Sequence, residues 1–200
     1  ELSSFQLEHI DSFKPMIAGL LNISGDHMDR YSDINEYAEN KLNLINKMSH
    51  SGKIIYNGDD PILTKVLNEN NNTEAFSINE ASESYFKLNA SKIYSGSPQT
   101  PDVLFQLSET NLKGKHNLQN IVAAATMAFR FGISQRSIRD AITNFTPIQH
   151  RLEWIGSIDG VEYYNDSKGT NVAATIAAVD SFENNLIVIL GGVDKGNSDF

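Results

Sequence analysis

The chain has 200 residues, of which 40% are hydrophobic and 20% charged, a composition that predicts folding around a substantial core. Sixteen lysines and arginines against 25 aspartates and glutamates give a net charge of −9, which argues against a general nucleic-acid or anionic-membrane binder. The absence of cysteine excludes a disulfide framework, a thiolate metal site and a cysteine nucleophile.

Both ends of the chain read as parts of strands. Residues 1–7 (ELSSFQL) resemble the tail of a strand, and residues 186–190 form an apolar run with ten residues after it. We therefore expect an internal segment of a longer protein. The apolar runs at 16–21 and 186–190 are far too short to cross a bilayer, so we expect no membrane insertion. The absence of cysteine is what a reducing cytoplasm permits, and a cytoplasmic location is our expectation.

The first half of the chain alternates between strand and helix patterns. Residues 16–23 predict a strand buried on both faces, and residues 33–48 gather their apolar side chains on one side of a helix. Residues 53–56 predict a second strand, and Pro61 suits the first turn of a helix ending near residue 68. Short alternating segments between 75 and 107 predict a small antiparallel sheet.

The second half continues the alternation after two helices. The remaining predicted elements are helices at 116–131, 134–144 and 171–180, and strands at 152–157, 161–164 and 186–190. Residues 145–147 (FTP) are the predicted boundary between a domain at 1–147 and a second at 148–200. The pattern predicts an α/β fold with a mainly parallel sheet flanked by helices.

Lys41 lies near the centre of the apolar stripe of its predicted helix, one turn from Tyr37 and Ile45. A lysine there can pack its stem inside and extend its ammonium to water. Alternatively, burial lowers the pKa of a lysine, and the neutral amine can then take up carbon dioxide. The resulting carbamate is an oxygen ligand suited to a hard cation.

Residues 22–31 come directly after the first predicted strand, at the edge where α/β proteins bind ligands. Asp26 can simply cap a short helix, and His27 alone is weak evidence for a metal site. Glu1 and His27 each stand near the end of a predicted strand and could converge with Lys41 on one cation. The spacing permits this convergence without requiring it.

Two further loops come after predicted strands. Residues 165–171 (NDSKGTN) could hold an anionic group through backbone N–H groups and Lys168, although Thr170 or Asn171 serving as an N-cap explains the same residues equally well. Gly191 and Gly192 permit close backbone approach beside Lys195.

The helix predicted from residue 116 begins with a pair of asparagines. Asn117 and Asn120 share one face of it, and capping explains one of them more easily than both. Arg151 lies just past the predicted boundary, where it could reach back across a cleft. The residues alone indicate an anion-binding α/β enzyme. The 200 residues contain no Gly-x-x-x-x-Gly-Lys-Ser/Thr motif, the pattern of a phosphate-binding P-loop.

Taken in order, these stretches resemble the Mur ligase family. The matching stretches are ELSSFQL (1–7), DHMDRY (26–31), the residues 37–42 around Lys41, GKHNLQN (114–120), His150-Arg151, NDSKGTN (165–171) and LGGVDK (190–195). ELSSFQL and NDSK favour the member that adds D-glutamate over the other members and over folylpolyglutamate synthetase. Gly169 departs from the pattern, which has alanine there.

The resemblance implies a three-domain enzyme. Residues 1–147 would be most of the central ATPase domain without its P-loop segment, and 148–200 the beginning of a Rossmann-like C-terminal domain. The full enzyme is expected to be monomeric, and the 200 residues alone are expected to be inactive.

The resemblance also implies a reaction and roles for individual residues. D-glutamate would be joined to UDP-N-acetylmuramoyl-L-alanine through an acyl phosphate formed from ATP, in the peptidoglycan precursor synthesis on which cell shape and division depend. The implied metal ligands, for two Mg²⁺ ions, are Glu1, His27 and carbamylated Lys41. The implied ATP contacts are Asn117, Asn120, Arg151 and Asp166. The implied substrate contacts are Ser3 and Gln6 for the muramoyl substrate, and Lys168, Thr170 and Lys195 for D-glutamate or the reacting carboxylate. The implied catalytic residues are His27, Lys41 and Lys168.

Two other functions stay open from the sequence. One is another Mur-type or folylpolyglutamate-type ligase that uses a different amino acid. The other is a non-catalytic ligand-binding protein.

Overall fold

The computed structural model describes residues 1–24, 30–79, 84–89, 92–95, 102–110, 112, 114–183 and 185–192. Its first layer is a parallel sheet in the order β1 (Ile17–Leu20), β2 (Lys53–Asn57) and β3 (Thr73–Phe76). Helix α2 (Ile34–Asn46) connects the first two strands and α3 (Pro61–Leu67) the last two. The central strand β2 is buried on both faces, which is why its apolar residues run without alternation.

A long helix covers the other face of this layer and also contacts a second sheet. Strands β4 (Phe86–Asn89), β5 (Lys92–Ser95) and β6 (Asp102–Gln106) form an antiparallel sheet, followed by a 3₁₀ turn at Leu107–Glu109. Helix α4 (Lys115–Arg130) contacts strands of both sheets, and α5 (Gln135–Thr143) packs against α4 and β6. The parallel sheet therefore carries one core beneath α2 and α3 and another beneath α4.

The last described segment is a hairpin followed by a helix. Strands β7 (Glu153–Ile158) and β8 (Val161–Asn165) pair antiparallel, and α6 (Val172–Val179) begins at its N-cap Asn171. No described residue from 139 to 192 is buried. Several large apolar side chains of this segment lie in solvent: Trp154, Ile155, Ile158, Val161, Tyr163 and Ile176.

The α/β fold with a parallel sheet flanked by helices is confirmed. The helices predicted at 33–48, 116–131 and 134–144 are α2, α4 and α5, and the short helix beginning at Pro61 is α3. None of the described helices combines the length and apolar character needed to cross a bilayer.

Three predicted elements are wrong. Residues 1–7 contain helix α1 (Ser4–Glu8) rather than a strand, because Ser3 and Gln6 form a reciprocal capping box. Thr73–Phe76 pairs parallel with β2 instead of joining the antiparallel sheet. Residues 186–190 form no strand, and Ile187 and Ile189 are 89% and 94% exposed. An apolar run becomes a strand only beside a partner, and the described part of the chain offers it none.

Candidate functional site

Glu1, Ser3 and Gln6 lie at the beginning of α1 and are all exposed. Ser3 Oγ accepts a hydrogen bond from the Gln6 backbone N–H at 3.3 Å, and Gln6 Oε1 accepts one from the Ser3 N–H at 2.8 Å. The two predicted substrate contacts are thus each other's partners. Their mutual capping fixes the direction in which the chain enters α1 after Glu1.

Helix α1 is tied to the segment that comes after residues 25–29. Glu8, the last residue of α1, accepts hydrogen bonds from the Tyr31 hydroxyl at 2.7 Å and from Arg30 Nη2 at 2.6 Å. The Phe5 ring stacks on the Tyr31 ring with centroids 6.1 Å apart, and the Arg30 guanidinium lies 4.7 Å from the Phe5 centroid. These contacts hold the beginning of the chain against Arg30 and Tyr31.

Lys41 lies on α2, which begins where the Asp33 carboxylate accepts hydrogen bonds from the N–H groups of Asn35 and Glu36. The Lys41 side chain is half-buried, which is between the buried amine and the water-exposed ammonium considered from the sequence. Its Nζ lies 4.8 Å from the centroid of the Tyr37 ring. Tyr37 packs against Tyr31 with ring centroids 5.4 Å apart. Lys41 is therefore connected to α1 through two buried tyrosines.

The residues after β1 are held by the end of β2 and the beginning of α3. Asn57 Nδ2 donates to the Leu21 carbonyl at 3.0 Å, and the Ile23 N–H donates to Asp60 Oδ2 at 2.9 Å. This segment leads to residues 25–29. His27, a predicted metal ligand and catalytic residue, lies outside the described residues, as does Asp26.

The predicted magnesium ligands fit a hard cation in their chemistry. A carboxylate at Glu1 and a carbamate on Lys41 would both offer oxygen, the donor that Mg²⁺ prefers. Helix α1, which begins three residues after Glu1, packs against α2, which carries Lys41, and Asn43 Nδ2 on α2 donates to the Leu7 carbonyl of α1 at 3.4 Å. Among the described residues, no three histidine, aspartate or glutamate side chains gather into a metal-binding group.

A second group of predicted residues meets at the first turn of α4. Asn117 is buried at 8% exposure, whereas Asn120 is exposed. Gly114, the N-cap of α4, has a φ of +90°, and a Cβ there would collide with Ser181 Oγ and lie 2.8 Å from His116 Cε1. The beginning of α4 is therefore closely covered by the end of the α6 segment.

The β7–β8 hairpin brings Arg151 and Asp166 to the same place. The Leu152 N–H donates to Asp166 Oδ1 at 2.9 Å, and the Lys168 N–H donates to the His150 carbonyl at 2.9 Å. A Cβ on residue 169 would lie 2.6 Å from Asp166 Oδ2, so the glycine allows this carboxylate to fold over the turn.

The pKa of His116 depends on its burial and on the charges of Asp166 and Arg151. Burial lowers the pKa of His116, while the nearby Asp166 carboxylate raises it and the Arg151 guanidinium lowers it by smaller amounts. The structure therefore brings Arg151 and Asp166 beside the helix turn that carries Asn117. His116 is not among the residues predicted for the site, although it stands in the GKHNLQN stretch.

The predicted contacts to D-glutamate are spread along the second segment. Lys168 and Thr170 are exposed in the loop before α6, and Lys195 lies outside the described residues. An apolar cavity of about 340 Å³ opens beside the beginning of α4, where Gly114, Leu118 and Ile121 are among the residues that line it. None of its lining residues is a predicted site residue.

Comparison with known proteins gives the family. The Mur ligase middle domain matches residues 1–128. UDP-N-acetylmuramoylalanine–D-glutamate ligases of Koribacter versatilis and Exiguobacterium sibiricum are 36% and 37% identical to this chain, each over 98% of it. The chain spans 44% and 42% of their lengths. The fold also matches MurF from Acinetobacter baumannii, with a TM-score of 0.67 and 19% identity over 82% of this chain and 36% of that one. With the family domain covering most of the chain, this protein belongs to the Mur ligase family.

Proposed function

We propose that the complete protein carrying this chain is an ATP-dependent ligase that joins D-glutamate to UDP-N-acetylmuramoyl-L-alanine. The observation that carries this proposal is the similarity over 98% of the chain to relatives named as UDP-N-acetylmuramoylalanine–D-glutamate ligases. Those relatives are about twice as long, so the substrates belong to the complete protein. The product is a precursor of peptidoglycan.

The reaction has two group-transfer steps, and neither changes an oxidation state. A carboxylate oxygen of the muramoyl substrate attacks the γ-phosphorus of ATP, which forms an acyl phosphate and releases ADP. The amine of D-glutamate then attacks the acyl carbon, phosphate leaves, and the amine loses a proton. Positioning and charge neutralisation supply most of the rate enhancement in phosphoryl transfer.

The meeting of α4 with the β7–β8 hairpin supports an ATP site between the two segments. Asn117 and Asn120 would contact the adenine side, while Arg151 and Asp166 would contact ribose and phosphates. A guanidinium is well suited to phosphate because its planar donors can bind two oxygens at once. Ser181 lies against Gly114, so the second segment reaches the beginning of α4, beside which ATP would bind.

Glu1, His27 and carbamylated Lys41 would hold two Mg²⁺ ions. The metal would neutralise phosphate charge in such a site. Ser3 and Gln6 would contact the muramoyl substrate, and Lys168, Thr170 and Lys195 would bind D-glutamate or orient the reacting carboxylate. For Ser3 and Gln6 this requires that their capping hydrogen bonds open or be shared with the substrate.

The test is ADP release by the complete protein. We expect release that depends on both UDP-N-acetylmuramoyl-L-alanine and D-glutamate, and none when L-lysine, diaminopimelate or L-alanine replaces D-glutamate. Release with one of those amino acids instead would identify another ligase of the same family. No release with any of them, together with retained nucleotide binding, would favour the non-catalytic alternative.

A matched pair of variants tests the ATP contacts. Asp166→Asn and Arg151→Gln should each raise the KM for ATP, because both side chains lie beside the first turn of α4. Asp159→Asn is the control: it removes one negative charge, as Asp166→Asn does, but from an exposed residue in the turn between β7 and β8. It should leave the KM for ATP unchanged.

A further inference from the structure

Glu8 joins two parts of the candidate site that are far apart in sequence. Its two carboxylate oxygens have different partners, with Oε1 accepting from the Tyr31 hydroxyl at 2.7 Å and Oε2 from Arg30 Nη2 at 2.6 Å. The Glu8 side chain is 19% exposed, and Tyr31 is 4% exposed. The hydrogen bond from Tyr31 thus connects a buried ring to a carboxylate at the protein edge.

Tyr31 stands between α1 and α2. Its ring stacks on Phe5 of α1 at an interplanar angle of 11° and packs against Tyr37 of α2 at 60°. Lys41 Nζ lies over the other ring of this pair, Tyr37. Together with the direct packing of α1 on α2, Tyr31 therefore helps to set how α1, which begins three residues after Glu1, sits relative to the helix turn that carries Lys41.

The Glu8 contacts differ from an ordinary surface ion pair. Exposed pairs such as Glu109–Arg139 contribute little because water and salt screen them. A hydrogen bond from a buried hydroxyl to a carboxylate is charge-assisted, and such bonds are stronger than those between neutral groups. Packing against Phe5 and Tyr37 holds the ring of Tyr31, and the hydrogen bond to Glu8 fixes the direction of its hydroxyl.

We propose that Glu8 is a positioning residue, which holds Tyr31 and thereby sets Glu1 and Lys41 at the separation that a divalent cation requires. This inference rests on the proposed function, since it takes Glu1 and Lys41 as metal ligands. Residues that orient metal ligands through hydrogen bonds commonly change metal affinity when they are replaced, although they never touch the metal.

The test measures Mn²⁺ binding to the complete protein by electron paramagnetic resonance, with Mn²⁺ as the probe for the Mg²⁺ site. We expect Glu8→Ala to weaken Mn²⁺ binding by up to about 10-fold, the lower end of the effect of replacing a residue that bonds a metal ligand directly. Glu8→Gln retains one acceptor for the Tyr31 hydroxyl and should weaken binding less. Tyr31→Phe keeps the stacked ring and loses only the hydroxyl, so it should weaken binding without disturbing the core.

Glu109→Gln provides the control, because it removes a glutamate–arginine pair remote from α1. It should leave Mn²⁺ binding unchanged. Combining Glu8→Ala with Tyr31→Phe should weaken binding no further than Glu8→Ala alone, since both remove the same hydrogen bond.

Two results would overturn the inference. One is Mn²⁺ binding by folded Tyr31→Phe and Glu8→Ala proteins that equals binding by the unaltered protein. The other is an unaltered protein that binds no Mn²⁺, because Glu8 would then have no site to hold. Failure of the proposed function looks different: Mn²⁺ binding would remain sensitive to Glu8, but no amino acid would support ADP release.

Discussion

The Nζ atom of Lys41 lies 4.8 Å from the centroid of the Tyr37 ring, with the lysine half-buried and the tyrosine 4% exposed. A cation over an aromatic face is attracted by the negative potential of the ring face. Conversion of this lysine to a carbamate would replace the positive charge by a negative one, and the side chain would then have to leave the ring face for a cation. The ring contact and the carbamate are therefore alternative states of one side chain.

The carbamate state makes a specific prediction for Lys41→Ala. Removing the amine should lower the ligase rate of the complete protein by about 10²-fold or more, because a positioned group is lost. Added short carboxylic acids should restore part of the rate by supplying the missing oxygens. Lys47→Ala, near the end of the same helix, is the control. Unchanged kinetics for Lys41→Ala would remove Lys41 from the site.

His116 gives a prediction for pH. Burial lowers the pKa of its imidazole below the ordinary value of about 6.5, so the fold favours the neutral ring. The stability contributed by this group is complete above about pH 6.5 and is lost as the pH falls through the lower pKa of the folded state. Denaturant unfolding over that range should show the loss, and His116→Gln should abolish this component of the pH dependence.

The two charges that face His116 should move its pKa in opposite directions. Asp166→Asn removes a negative charge and should lower the pKa further, whereas Arg151→Gln removes a positive charge and should raise it. A proton NMR titration of the imidazole measures both changes. A His116 pKa that responds to neither variant would show that the hairpin does not lie against α4 in solution.

Gly114 and Gly132 form a matched pair of glycines for testing the contact with Ser181. Both have positive φ values, +90° and +94°, so alanine at either should destabilise the fold by about 1–3 kcal/mol through backbone strain. A Cβ at Gly132 meets nothing within 4 Å, but one at Gly114 collides with Ser181, whose hydroxyl donates to the Ala177 carbonyl.

Gly114→Ala should therefore cost more than Gly132→Ala in the free energy of unfolding. It should also loosen the segment around Ser181, which hydrogen exchange of the Ser181 amide can measure. Equal costs and equal exchange for the two variants would mean that Ser181 does not cover the beginning of α4.

Much of the fold can be predicted from local patterns in the sequence. Helix α2 was predictable because its apolar stripe is long and Asp33 is a strong N-cap, and α3 because Pro61 fixes its first turn. Helix α1 is only five residues long, too short for periodicity, so its one signal was the Ser3–Gln6 spacing of a capping box. Residues 186–190 have the composition of a strand, but pairing depends on a neighbour that no local pattern reveals.

The candidate site also has parts that could be predicted from local sequence patterns and parts that could not. The GKHNLQN and NDSKGTN stretches could be identified from sequence, and the structure brings Asp166 beside the first turn of α4. The link from Glu8 to Tyr31 could not be identified, because 23 residues separate the two and neither belongs to a periodic pattern. Contacts of this kind arise from the packing of α1 on α2.

Asp60 uses its two carboxylate oxygens for different purposes, which allows them to be separated by mutation. Oδ1 caps α3 by accepting from the N–H groups of Ile62 and Leu63 at 2.9 and 3.0 Å, while Oδ2 accepts from the Ile23 N–H. Asp60→Ala loses both and should lower the free energy of unfolding by about 1–2 kcal/mol from the cap alone.

Asp60→Asn can keep the cap, since asparagine caps helices as well as aspartate does, but its amide nitrogen cannot accept from Ile23. We expect Asp60→Asn to retain most of the stability while the Ile23 amide exchanges faster with solvent. Ser134→Ala removes the cap of α5 and should lower stability without changing exchange at Ile23. The hydrogen bond from Asn57 to the Leu21 carbonyl remains in every one of these variants. If exchange at Ile23 is unchanged in Asp60→Asn, then Asn57 alone holds the segment that leads to residues 25–29.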